Sequence, residues 1–326
     1  MFAFSKAGGL VGRSLTVAVF LLALLAGAGG LRAEKTVLLV PGGSDDLMGT
    51  MARTIQPGLQ KALSQPVEVA TVIGEAGGLA QDLTGRLPPN GQSLLVAELL
   101  TRAIDEALPD SGQETQLSDL TPIVKLAQGI SVALIVPDGS EIVGFDEFVQ
   151  AAKERTLTVA TFGRRSSSGI GLALLAKRLN LPFVYSDRAN LRAVLRDLDS
   201  GIADAAIVFT RVLVFPEFQG RYRPLATFGG ARSALLNDKV PTFAELSGDE
   251  KDTFTTSVAL FGPPGMSDET VASISAAFFR GVSSDPMVME TAAKRGIDIV
   301  IKDADVVAET MERDRNVVER VLPLLQ

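Results

Sequence analysis

The chain has 326 residues, no cysteine, no histidine and a formal net charge of −7 at pH 7. Those absences remove disulfides, thiolate nucleophiles, Ser-His-Asp triads and the common zinc and iron sites. An acidic balance without a basic tract argues against nucleic acid, whose binding rests on phosphate contacts. At the front, Lys6 and Arg13 lead into an uncharged apolar and small-residue run, Ser14–Gly30, followed by Leu31, Arg32 and Ala33. Residues 1–33 are expected to be a signal peptide, with an uncleaved anchor as the alternative. The run is shorter than the roughly 20 residues a membrane span needs. No cysteine is present to carry a lipid anchor.

The stretch Val37–Ala62 organises the rest of the chain. Val37–Val40 is an apolar strand, Pro41-Gly42-Gly43-Ser44 a sharp turn, and an amphipathic helix starts at Asp45 or Asp46. Leu47, Met51, Ile55 and Leu59 mark its buried stripe, and Pro57-Gly58 is expected to kink or end it near Gln56. For Asp46, capping this helix is favoured over a ligand contact or an outward orientation. Val67–Ile73 reads as a strand, Gly74–Gly78 as a glycine loop and Leu79–Leu87 as a short helix. Pro88–Gly91 is a turn, and Ser93–Ala97 is the next strand. Leu117–Leu126 reads as a connection.

Val132–Val136 is a strand closed by Pro137, and Gly144–Lys153 a helix. The rhythm then restarts with strand Thr156–Phe162, loop Gly163–Gly169 and helix Ile170–Leu179. Strand Phe183–Tyr185, helix Leu191–Leu198 and strands Ala205–Phe209 and Arg223–Thr227 come next. Strand Thr255–Leu260 and helices Ser267–Val282, Asp285–Lys294 and Asp303–Leu322 end the chain. Three helices with barely a strand cannot form a sheet domain, so they are expected to pack back on the first one. The fold class is therefore α/β, in two lobes, each a mostly parallel sheet flanked by helices, with a cleft and hinge between. The first lobe takes residues 34–133 plus 251–326, and the second 134–250.

Thr161–Gly171, TFGRRSSSGIG, repeats the opening device: a strand, a glycine turn and a helix N-terminus. Ser166, Ser167 and Ser168 put hydroxyls beside exposed backbone N–H groups, where negative charge is favoured. Arg164 and Arg165 can meet a carboxylate in paired hydrogen bonds, or stand in a solvated loop. Being adjacent, they are expected to point in opposite directions. The Gly74–Gly78 loop, with Ala76 and Gly77, is either a third contact or a plain strand-to-helix turn. Two helix starts facing across a cleft hold an anion without catalysing anything.

These residues carry a resemblance. The order Pro41-Gly42-Gly43-Ser44-Asp45-Asp46, Gly74–Gly78, Asn90-Gly91-Gln92-Ser93-Leu94-Leu95, Pro241-Thr242-Phe243-Ala244-Glu245 and Gly262-Pro263-Pro264-Gly265 resembles the extracytoplasmic solute receptors of tripartite tricarboxylate transporters, the Bug or TctC-like proteins. The resemblance implies a periplasmic binding protein that is no enzyme and needs no cofactor or metal. It implies that a small organic anion is passed to a membrane permease. The first loop and the serine-glycine loop would hold a carboxylate through backbone donors, often with ordered water. The expected ligand-binding residues are Gly42, Gly43, Ser44, Asp46, Ala76, Gly77, Arg164, Arg165, Ser166, Ser167, Ser168 and Tyr185. The chain departs from the pattern at Gly163-Arg164-Arg165-Ser166, at Val184-Tyr185-Ser186-Asp187, and in lacking the usual histidine of that helix. The paired helix N-termini and the arginine pair lead to the expectation of a di- or tricarboxylate, and the double crossing between lobes to that of a monomer that closes on it. A partner of a membrane sensor kinase and a carboxylate-dependent hydrolase are the alternatives.

Overall fold

The computed structural model describes residues 35–44, 46–74, 77–108, 112–236 and 238–324. The expected signal peptide, residues 1–33, and Ala76 lie outside them. In chain order the main elements begin with β1 (Thr36–Pro41), α1 (Leu47–Leu63), β2 (Val67–Val72), α2 (Gly78–Gly85), β3 (Ser93–Glu98), α3 (Leu99–Ala107) and β4 (Thr121–Ile130). Next come β5 (Val132–Pro137), α4 (Phe145–Glu154), β6 (Leu157–Thr161), α5 (Ser167–Leu179), β7 (Phe183–Asp187), α6 (Leu191–Asp199), β8 (Ala205–Phe209), β9 (Tyr222–Thr227) and α7 (Phe243–Ser247). The chain ends with β10 (Thr256–Gly262), α8 (Asp268–Phe278), α9 (Pro286–Lys294), β11 (Lys302–Asp303) and α10 (Ala304–Val321).

Two mixed sheets result, one ordered β11-β4-β10-β3-β1-β2 and the other β7-β6-β8-β5-β9. Most strands of each sheet share one direction; β10 and β11 in the first and β5 in the second run against it. The reversals of β5 and β10 belong to the connections between lobes. β4 and β5 are separated only by Ser131, so the chain leaves one sheet as it enters the other. β10 returns between β3 and β4. Each lobe is thus a mixed sheet flanked by helices, a periplasmic-binding-protein fold.

β1 shows why the first sheet needs helices on both faces. Leu38 and Val40 face one core, packed with Leu47, Met51, Ile55 and Leu59 of α1. Leu39, on the other face, joins Ala80, Leu95 and Val307. Alternate residues point to opposite faces, so a strand covered on both sides reads as one apolar run. α8 and α9 pack on α1, and α10 packs on α3 and β4. The last turns of α10 bring Val318 and Val321 into a core with Leu174, Leu175 and Phe254.

Three elements depart from the expectation. α1 does not stop near Gln56 but continues through Pro57 to Leu63. A Cβ on Gly58 would sit 1.8 Å from the Gly281 carbonyl oxygen, and one on Gly281 2.2 Å from that of Gly58. This backbone-to-backbone packing outweighs the lost N–H of the proline, a case of tertiary contact overriding propensity. Leu117–Leu126 is no plain connection, since β4 starts at Thr121. Its Lys125 breaks the apolar pattern, yet it is 2% exposed and donates to Thr310 Oγ1 of α10 at 3.1 Å. α3 was not anticipated at all, because SLLVAELL runs from strand to helix without a glycine or proline between them.

Candidate functional site

Six strands of the two sheets end at one cleft, in the position where open α/β sheets place their ligands. The first turn leaves β1 through Gly42, at φ +89°, a conformation glycine adopts without strain. A Cβ there would lie 2.5 Å from Asp46 Oδ2, so the missing side chain makes room for that carboxylate. Asp46 Oδ2 accepts from Gly43 N–H at 2.5 Å. Asp46 Oδ1 reaches across the cleft and accepts from Leu191 N–H, the first residue of α6, at 2.7 Å. The expectation that Asp46 caps its own helix is therefore corrected: it stands at the N-cap position but makes no cap bond. Its carboxylate serves the start of a helix in the other lobe, where the charge meets unpaired N–H groups.

The second turn is held by its own serines and by the first lobe. Gly163, at φ +106°, leads into Ser166, whose Oγ accepts from Gly169 N–H at 3.2 Å and donates to the Gly163 carbonyl at 2.7 Å. Ser168 Oγ lies 2.8 Å from Ser166 Oγ and accepts from Phe162 N–H at 2.9 Å. Ser167 donates its hydroxyl to Glu98 Oε1, and its N–H goes to Thr101 Oγ1 at 3.2 Å. Both partners belong to the first lobe.

A third contribution comes from the start of α3. Arg102 is 2% exposed and pairs with Asp105 at 3.3 Å. Burial lowers its pKa, while Asp105, Glu98 and Glu106 push it back up; a guanidinium stays charged in any case. Asp105 is also held by Arg165 from the second lobe at 3.2 Å and by Gln113 at 2.6 Å. Gly77, at φ +104°, lies over the guanidinium: a Cβ there would come within 3.4 Å of Arg102 Nε.

Between these groups lies a cavity of about 140 Å³. Gly42, Asp46, Leu47, Met48, Gly74, Gly77, Glu98, Thr101 and Arg102 line it from the first lobe. Ser166, Ser167 and Ser168 line it from the second, with an apolar wall of Phe162, Leu191, Phe209 and Val212. Of the residues singled out in the sequence, Gly43 supports the wall through Asp46, and Ser44 is exposed on the turn outside it. Arg164 turns away, its guanidinium carbon 4.1 Å from the centre of the Tyr185 ring, and neither residue lines the cavity. Arg165 reaches Asp105 instead of the cavity. The two arginines do point apart.

The model of the tripartite tricarboxylate transporter family receptor matches residues 51–322. The chain belongs to that family. Among curated relatives, the UPF0065 protein in the tcbD-tcbE intergenic region of a Pseudomonas species is 25% identical over 84% of this chain and 80% of its own. Among solved structures, the periplasmic binding protein BugD superposes with a TM-score of 0.80 at 17% identity, covering 89% of this chain and 97% of that one. MatC from Rhodopseudomonas palustris, with bound malate, gives 0.75 at 23% identity, covering 87% and 98%.

In this receptor, a periplasmic solute-binding protein of a transport system, the site residues missed in the sequence are chiefly Glu98, Thr101 and Arg102. All stem from the unrecognised α3. The available signal was amphipathic spacing, with Leu100 and Ile104 buried four apart and Thr101 and Arg102 between. Phe162, Phe209 and Val212 carry no local mark, since an apolar residue at a strand end reads the same in a core or in a cleft.

Proposed function

We propose that the receptor captures a small organic acid in this cleft and hands it to the membrane permease of a tripartite tricarboxylate transporter. It does so as a monomer, with residues 34–133 and 251–326 closing against 134–250. The observation that carries the reading is the convergence of helix starts from both lobes, those of α1, α2, α3, α5 and α6, on one cavity beside buried Arg102. Each helix start behaves as roughly half a positive charge, and its first N–H groups lack internal acceptors. Such ends are ready anion sites. MatC, a protein of the same fold, holds malate. The ligand contacts are assigned to Gly42, Gly77, Ser166, Ser167 and Ser168, with Gly43, Asp46 and Arg165 shaping the closed cleft. The expectation of two or three carboxylates rested on the paired helix N-termini and on Arg164 and Arg165, and the two arginines stand outside the cavity lining.

Thermal-shift measurements on a panel of carboxylic acids and neutral sugars test the reading. Ligand at a hundredfold excess over Kd stabilises the native state by about 2.7 kcal/mol, or several degrees in Tm. Small-angle scattering with the acid that binds should show a smaller radius of gyration than without it. A sugar that shifts Tm while every acid fails would overturn the proposal.

A further inference from the structure

The helix starts at the cavity are not equally open to a ligand. In the second lobe, the first N–H of α6 is taken by Asp46, and the start of α5 is taken by Thr101 and by its own serines. In the first lobe, the N-cap residues of α1 and α2 make no side-chain bond to their own helices; Leu47 and Met48 at the start of α1 stand at the cavity, whereas Gly77 N–H is taken by the Gly74 carbonyl at 2.9 Å. Arg102 is on this side too. The charged side chains of the lining are two carboxylates, Asp46 and Glu98, and one guanidinium, Arg102. The opposite wall is Phe162, Phe209 and Val212.

From this asymmetry we infer that the ligand is a monocarboxylic acid with a compact apolar body. Its carboxylate sits on the first lobe between Arg102 and the start of α1, and its body lies against the second-lobe wall. This rests on the organic-acid reading above and deepens it. A second carboxylate would have to settle beside Asp46 and Glu98, against the aromatic wall, or on Ser166, Ser167 and Ser168, whose hydroxyls already bond the Gly163 carbonyl, Glu98 and one another. A buried anion without a partner is strongly disfavoured.

The test is a calorimetric series of matched acids: hexanoate against adipate, benzoate against terephthalate, and citrate. Hexanamide and benzamide serve as neutral controls. A monoacid is expected to bind at least about tenfold more tightly than its diacid partner, a difference of about 1.4 kcal/mol, and the amides are expected to give no heat. Arg102→Gln should weaken the monoacid at least about tenfold, with circular dichroism and melting curves confirming the fold. The ligand series stands by itself if that variant does not fold. A diacid or citrate binding better than the monoacids overturns this inference and leaves the organic-acid receptor intact. Amides binding as well as acids, or no acid binding at all, overturns the parent reading and this one with it.

Discussion

The two helix starts that face each other, Gly43–Gly49 and Gly163–Gly169, share one backbone plan and use it differently. In each, a glycine is followed three residues later by the N-cap residue, Asp46 or Ser166, and three residues after that by a second glycine. In each, the N-cap N–H donates back to the first glycine's carbonyl, at 3.3 Å and 3.1 Å. The second glycine is needed in both, because a Cβ there would meet two carbonyl oxygens of the turn, at 2.6 Å in the first copy and 2.4 Å in the second. The difference lies in the N-cap side chain. Ser166 is short and satisfies its own turn. Asp46 is one atom longer and charged, so it can span to the other lobe. One plan therefore gives a filled helix start in the second lobe, taken by Ser166 and by Thr101 of the first, and an open one in the first lobe.

Removing the shared part should have the largest effect. Gly49→Ala and Gly169→Ala each gain up to about 1 kcal/mol in helix propensity. Each must also displace backbone carbonyls, and overpacking of this kind costs about 1–3 kcal/mol or more. Both variants are therefore expected to lose about 1–3 kcal/mol on balance in urea unfolding, and to weaken ligand binding because the turn shifts. If one tolerates alanine at wild-type stability, the two turns are not the same device.

The next experiment separates the two N-caps. Asp46→Ala removes a charged hydrogen bond across the cleft, worth about 1.5–3 kcal/mol. Because that bond exists only when the lobes meet, the loss should appear mainly in Kd and in a bound radius of gyration larger than wild type. Ser166→Ala removes a cap worth about 1 kcal/mol, and its loss should appear mainly in the melting curve. Asp46→Asn should recover part of the affinity, since the amide oxygen still accepts. Equal effects of the two alanine variants on Kd would erase the distinction.

The common plan was visible in the sequence as a strand, a glycine and small polar residues before a helix, and so was the two-lobe architecture it belongs to. The use of Asp46 was not. Local rules make an aspartate before an apolar helix a cap, and the N–H donor that captures it lies 145 residues away. Glu98, Thr101 and Arg102 were hidden for a different reason, that no turn residue separates β3 from α3. Long-range partners and unpunctuated junctions are where local pattern carries least information. Arg164 and Arg165 show the converse: adjacency correctly set them on opposite sides, yet neither side was the cavity.

The smallest effect should come from Arg164→Ala. The guanidinium lies over the half-buried Tyr185 ring at 4.1 Å, and an exposed cation–π contact contributes about 0.5–1 kcal/mol. Stability should fall by no more than that. The ligand Kd should stay within about twofold of wild type, with any change in the association rate fading at higher salt. Arg165→Ala should do more, because Asp105 loses one cation and one of the bonds that join the lobes at the cleft. The remaining partners, Arg102 and Gln113, keep Asp105 from being stranded. The loss should therefore be about 1 kcal/mol, nearer to a surface pair than to a broken buried one. Measuring Kd at two salt concentrations orders the pair. If Arg164→Ala costs more affinity than Arg165→Ala, the Arg164 guanidinium reaches the ligand, and its place outside the cavity fails.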